Sequence, residues 1–228
     1  MSSLSSENNK RLSECRVAVF GVGGVGGYAA EALARAGVGV IDLVDNDCVS
    51  ITNVNRQIVA DLNTVGQNKT EAAKERIAAI NPKIKVVTHP VFFNEKTARL
   101  FDFSAYDYVV DAIDTVAGKL LLAQLTQNSG SPFISSMGAG NKLNPEMLAV
   151  ADIYETSVCP LAKVMRTECR KRGLSGFKCV YSREEALTPA KSEEVTVRRQ
   201  IPASTAFVPS VAGLLLAREV ISDLLKDC

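Results

Sequence analysis

Tryptophan is absent from the 228 residues, and histidine occurs once, at position 89. A single imidazole beside Pro90, in a strand-like run, gives no foundation for a catalytic triad or a histidine-rich metal centre. The six cysteines, at positions 15, 48, 159, 169, 179 and 228, include no C-x-x-C pair. A structural zinc site or a thioredoxin-like motif requires that spacing, so reduced thiols and no zinc are expected. Neither charge is in excess: 26 basic residues face 25 acidic ones, for a net +1. Whole-molecule electrostatics therefore neither demand nor exclude nucleic acid, and such a partner has to meet a local patch. Long apolar runs are missing too. The longest near the C-terminus, residues 211–217, is far too short to span a bilayer, and the polar N-terminus lacks the apolar stretch of a signal peptide. No membrane partner and a cytoplasmic location are expected.

What the chain does have is an apolar fraction of 46% against 22% charged residues, core enough for one large sheet covered by helices. No Pro/Gly/Ser-rich linker divides it, so residues 10–228 read as a single domain behind a Ser/Asn-rich, disordered leader at 1–9. Strands are expected over 16–20, 40–44, 84–88, 107–112 and 132–135. Between them fall helices over 25–35, 66–80 and 115–128 and a short helix opening at Asn94. Gly37 and Asn81-Pro82 supply helix stops. This alternation predicts an α/β fold, a doubly wound, mostly parallel Rossmann-like sheet with helices on both faces. Further on, strands at 147–151 and 177–181, a basic helix at 160–171 and an apolar helix at 208–225 are expected. Residues 182–204 read as a polar surface excursion.

Gly21-Val22-Gly23-Gly24-Val25-Gly26 matches G-x-G-x-x-G between a strand and a helix, where glycines let the backbone approach phosphates lying on the helix N-terminus. Asp45, at the end of the next strand, suits ribose hydroxyls, and up to this point a dinucleotide dehydrogenase fits equally well. Arg56 and Lys69 separate the two readings. Two cations beside a phosphate cradle suit a triphosphate, offsetting the charge that builds up as pyrophosphate leaves, a task hydride transfer does not have. Downstream, Asp111-Ala112-Ile113-Asp114-Thr115 ends a strand, so Asp114 is expected to face the same crevice and to hold Mg²⁺. Asp111 reads as a strand-end carboxylate capping the next helix, or else as a second metal ligand.

The ordered elements G-x-G-x-x-G, Asp45-x-Asp47 with Asn53 and Arg56-Gln57, Gly66-x-x-Lys69 and Asp111-x-x-Asp114 make the chain resemble the HesA/MoeB/ThiF superfamily of ubiquitin-activating-enzyme-like adenylyltransferases over roughly residues 10 to 155. The resemblance implies that Gly24, Asp45, Asn53, Arg56, Lys69 and Asp114 contact ATP and metal, with Gly21, Gly23, Gly26, Asp47, Gln57 and Thr115 completing the nucleotide site. Ala151-Asp152-Ile153-Tyr154, Cys159-Pro160-Leu161-Ala162 and Val180-Tyr181-Ser182 look like the tRNA threonylcarbamoyladenosine dehydratase branch. That branch implies adenylation of the threonine carboxylate on a modified tRNA adenosine, then ring closure with loss of AMP, by a homodimer. The apolar run at 211–217 is more than one helix face needs and fits the dimer. The family also carries an N-terminal arginine that reaches the triphosphate, whereas residues 2–9 contain none.

Two features stay open between a functional and an ordinary role. Lys163, Arg166, Arg170, Lys171 and Arg172 on the basic helix are candidate tRNA contacts or a solvated helix face. Cys159, before Pro160, is either a thiol activated by the helix dipole or a structural cap. The thiol reading belongs to an alternative function, activation of the C-terminus of a ubiquitin-like or sulfur-carrier protein, with a sulfur-transfer protein as partner. A non-catalytic nucleotide sensor is a third reading.

Overall fold

Arg16-Val17-Ala18-Val19-Phe20 is apolar after its first residue, and this continuity marks a strand that helices cover on both faces. It forms β1 (Arg16–Phe20), buried from Val17 onward. The computed structural model describes residues 5–186 and 205–226. β2 (Val40–Val44), β3 (Lys85–His89), β4 (Tyr108–Asp111), β5 (Phe133–Ser136), β6 (Leu148–Asp152) and β7 (Lys178–Ser182) complete one sheet in the order β3-β2-β1-β4-β5-β7-β6. All neighbouring pairs are parallel except β6 with β7. Strand order reverses between β1 and β4, and ligands of doubly wound sheets bind at the carboxyl ends of strands at such a point.

The sheet's pleat sends alternate side chains into separate cores. Val17, Val19, Ile41, Leu43, Tyr108 and Val110 pack under α2 (Gly26–Ala36), α3 (Lys69–Ile80) and α6 (Phe207–Leu224), together with Leu12 of α1 (Ser6–Glu14). Ala18, Phe20, Val44 and Val109 face the opposite side, against an aromatic group of Phe93, Phe101, Phe103 and Tyr106. A third core joins α4 (Val116–Ser129) and α5 (Pro160–Lys171) through Leu120, Ala123, Ala162, Met165 and Cys169. Asp223 ties α6 to the sheet, accepting from Tyr108 Oη at 2.8 Å and from Lys178 Nζ at 2.7 Å on its other oxygen.

Apart from the short helix at Asn94, the expected elements are present with ends at most three residues from those expected, β1, β2 and α5 matching throughout, and α2 stops at Gly37, whose φ is +96°. Two departures concern the N-terminal half. A helix occupies much of the expected disordered leader: Ser5 accepts from the Asn8 amide at its N-cap, and Leu12 anchors the helix in the core. At Asn94 the expected N-cap forms, its side chain accepting from the amides of Lys96 and Thr97, but only a turn and a 3-10 segment at Ala98–Leu100 follow, because Phe101 turns extended to enter the aromatic core. The excursion expected at 182–204 falls largely outside the described residues. Within them Ser182 ends β7. The 211–217 run is largely used inside the chain, where Ala212, Gly213, Leu216 and Ala217 are buried and Gly213 sits directly on α2. Among the described residues, no helix is long and apolar enough to cross a membrane.

Candidate active site

The turn after β1 is built around Gly21, whose φ of +89° is a conformation side chains rarely tolerate. A Cβ there would also lie 2.6 Å from the Ala112 carbonyl oxygen on the turn after β4. At Gly26, the start of α2, a Cβ would collide with the Gly21 carbonyl. These two glycines therefore let the two strand-end turns and the helix N-terminus close on one another. Gly26 is buried behind the loop, whereas Gly21, Gly23 and Gly24 line the cleft in front of it, so the expected cofactor contact at Gly26 becomes a packing role. Val25, at the N-cap of α2, makes no side-chain cap bond, which leaves the positive end of the helix open to an anion.

The cleft is about 540 Å³ and is lined by Asp45, Asp47, Asn53, Arg56, Gln57, Lys69, Asp114 and Thr115 as well as the glycine loop. Asp45 closes the loop against the end of β2, accepting from the Val22 amide at 2.7 Å and from the Asp47 amide at 2.9 Å. Lys69, the first residue of α3 and almost wholly buried, places Nζ 2.7 Å from Asp47 Oδ2. Asn53 is spent on local structure: its Oδ1 accepts from the Ser50 amide in a capping box. Arg56 donates to the Thr52 carbonyl at 2.8 Å and to Asn55 Oδ1 at 2.9 Å. Gln57 Oε1 is buried in this wall without a hydrogen-bond partner among the described residues. A buried acceptor left unpaired is costly unless a ligand supplies a donor.

On the β4 side, Asp114 is exposed to the cleft, while Thr115 caps α4 by accepting from the Gly118 amide at 3.4 Å. Asp111 neither caps the helix nor faces the cleft. It is fully buried, with Oδ1 accepting from the Ile113 amide at 3.0 Å and Oδ2 from Lys119 Nζ at 3.0 Å. The second-ligand reading of Asp111 therefore fails, since the carboxylate is fully buried, lies outside the cleft lining and is paired with Lys119. Among the described residues no cluster of three or more acidic, cysteine or histidine residues could hold a metal. A lone carboxylate at Asp114 nonetheless fits Mg²⁺, which is commonly held by one or two carboxylates together with substrate phosphates and water.

No sequence motif pointed to the apolar side of the cleft, Val91, Phe92, Phe93 and Pro209, which comes from the β3–β4 connection and the first turn of α6. Nor did Lys119 stand out, although a lysine directly before Leu120-Leu121-Leu122-Ala123, on a helix this apolar, was a readable signal of a buried charge.

The second-half candidates lie elsewhere and do not line this cleft. Cys159 precedes Pro160 at the N-cap of α5, makes no side-chain cap bond, and is buried within the third core. Burial raises the Cys169 thiol and pushes Cys179 up to about 12, so neither is a nucleophile at neutral pH. On the basic helix, Lys171 and Arg172 pair with Glu168, Arg166 bonds Thr156 Oγ1, and Arg170 lies 5.1 Å over the Tyr154 ring. Lys163 is exposed. At the far end of the sheet, Arg16 is engaged with Asp42 at 2.8 Å, at the opposite end of β1 from the cleft.

A family model described as the ThiF family matches residues 1–227. The chain belongs to the ThiF family. This ThiF-family chain is 46% identical over 234 residues to a tRNA threonylcarbamoyladenosine dehydratase of Bacillus subtilis, covering 98% of itself and 92% of the relative. It is 37% identical over 186 residues to the Escherichia coli protein of the same name, covering 78% and 69%. Among solved structures it superposes on the Escherichia coli tRNA N6-threonylcarbamoyladenosine dehydratase in complex with ATP, with a TM-score of 0.88 at 30% identity over 97% of this chain and 90% of that one.

Proposed function

We propose that the chain is an ATP-dependent tRNA threonylcarbamoyladenosine dehydratase. The observation that carries this reading is the switch-point cleft, where an open helix N-terminus, Arg56, Lys69 and Asp114 line one cavity, in a chain matching dehydratases over almost its whole length. Gly21, Gly23 and Gly24 admit the phosphates, Asp45 takes the ribose, and Gln57 Oε1 is an acceptor awaiting a nucleotide donor. Asn53 shapes the loop that presents Arg56 and Gln57. Asp47 holds Lys69 until phosphate arrives, and Thr115 fixes the helix behind Asp114. Asp114 would hold Mg²⁺, which supplies neutralisation of phosphate charge.

In the reaction, a carboxylate oxygen of the threonine group attacks the α-phosphorus of ATP and pyrophosphate leaves, its charge offset by Arg56 and Lys69. A nucleophile within the substrate then attacks the activated acyl carbon, closing a ring and expelling AMP. An attacking group already held beside the acyl carbon needs no enzyme thiol, which agrees with the burial of Cys159. Lys163, Arg166, Arg170, Lys171 and Arg172 form a basic face for the tRNA backbone, with Lys163 and Arg170 the most available. The enzyme acts as a homodimer in the cytoplasm. The exposed apolar Ile51, Val54, Leu62 and Val65 favour that assembly more than α6 does. A single compact domain carries the site.

Incubation with ATP, Mg²⁺ and tRNA bearing threonylcarbamoyladenosine, followed by mass analysis of the nucleosides, tests the reading: the modified nucleoside should lose one water. Unchanged mass, with pyrophosphate exchange that requires a small carrier protein and ignores tRNA, would instead establish the carrier-activating reading.

A further inference from the structure

A buried polar network lies directly beneath the Asp114 turn and has no part in the roles assigned above. Asp111 ends β4 and is fully buried. Its Oδ2 accepts from Lys119 Nζ at 3.0 Å and from Ser135 Oγ at 2.5 Å. Lys119, in the first turns of α4 and 1% exposed, also donates to the Ser136 carbonyl at 2.6 Å and reaches Ser135 Oγ at 3.4 Å. An ammonium has three N–H groups, and here three acceptors surround it. Asp111 Oδ1 turns the other way and accepts from the Ile113 amide at 3.0 Å, inside the turn.

The network thus fastens the ends of β4 and β5 and the start of α4 to one another. Residues 112–115, which carry Asp114, bridge the two charged partners. Their near end is fixed again by the Ala112 amide donating to the Phe20 carbonyl at 2.8 Å, next to the glycine turn. A well-packed apolar pair of equal volume would fill this space without the desolvation cost of two buried charges, so stability alone does not account for the pair. We propose that Lys119 and Asp111 are positioning residues that hold the 112–115 turn, and with it Asp114, against the phosphates of bound ATP. The assignment rests on the adenylation reading, since it concerns the reach of Asp114 to phosphate. Neither residue touches the nucleotide.

The test compares the full chain with Lys119→Met and with Lys119→Met/Asp111→Asn, in which no buried charge is left unpaired. In Lys119→Met, kcat for AMP formation should fall about 100-fold while KM for ATP stays near its wild-type value, because the glycine loop and Asp45 are untouched. Amide exchange at Ile113 should quicken about tenfold with β1 amides unchanged. The double variant should regain the wild-type melting midpoint without regaining kcat. Recovery of both would make the pair merely structural and overturn the proposal, as would unchanged kcat and unchanged Ile113 exchange in Lys119→Met. Should the single variant not fold, the double variant carries the same readouts. If the wild type forms no AMP, the dehydratase reading fails, and Ile113 exchange still decides whether the pair holds the turn.

Discussion

Among the described residues, Asp114 is the one acidic side chain of the cleft that is exposed and has no assigned partner, which makes it the natural meeting point for the charge that ATP brings. Asp114→Ala is expected to cut AMP formation below detection with the unfolding midpoint unchanged; a separate melting curve checks the fold. Arg56→Ala should lower kcat roughly 100- to 1000-fold, the usual effect of removing one donor to developing charge. Cys159→Ser should retain activity, and its inactivation would replace an intramolecular closure by one through an enzyme thiol. Arg56, Lys69 and Asp114 were legible in the sequence because motif spacing on a βαβ frame dictates where each emerges. The burial of Lys119 was readable from its apolar neighbours, but its partners were not, because Ser135 and Ser136 arrive from β5, a contact that no local pattern encodes.

At the scale of elements, periodicity located the strands because burial on both faces demands unbroken apolar runs, and Tyr108-Val109-Val110 is such a run. Ends were less legible where tertiary packing cuts a helix short, as at Leu100, after which Phe101 turns extended into the aromatic core. The first three strands are also tied by a polar cluster: Asp42 of β2, fully buried, meets Arg16 of β1 at 2.8 Å and His89 of β3 at 2.9 Å. Burial alone would raise the Asp42 carboxyl, but its hydrogen bonds to His89 and Arg16 outweigh it and hold the carboxyl below its ordinary 3.8. A carboxylate depressed in the folded state contributes stability that is fully present above its unfolded value and is lost as pH falls through the folded one. Urea titrations should therefore find Asp42→Asn less stable than wild type near neutrality, with the gap closing as pH falls below 3.8. A gap independent of pH would dismiss the charge as the cause.

The whole molecule places one cleft where two halves of a sheet diverge, and that arrangement follows from strand alternation alone. Subunit association does not follow from the sequence in the same way. The apolar stretch that suggested it in α6 is mostly used against α2, and the outward-facing apolar groups belong instead to the loop around residues 51–65. Light scattering at micromolar concentration should give twice the monomer mass, and Leu62→Lys with Ile51→Lys should halve it. In the cleft itself, the Asp47 carboxylate already neutralises the Lys69 ammonium. A neutral ligand such as adenosine has nothing to offer in exchange, whereas a triphosphate can replace Asp47 with a denser negative charge. The ion pair thereby acts as a threshold: occupancy of the cleft should rise steeply with the number of phosphates a nucleotide carries, and added salt should erode that ranking before it erodes adenosine binding.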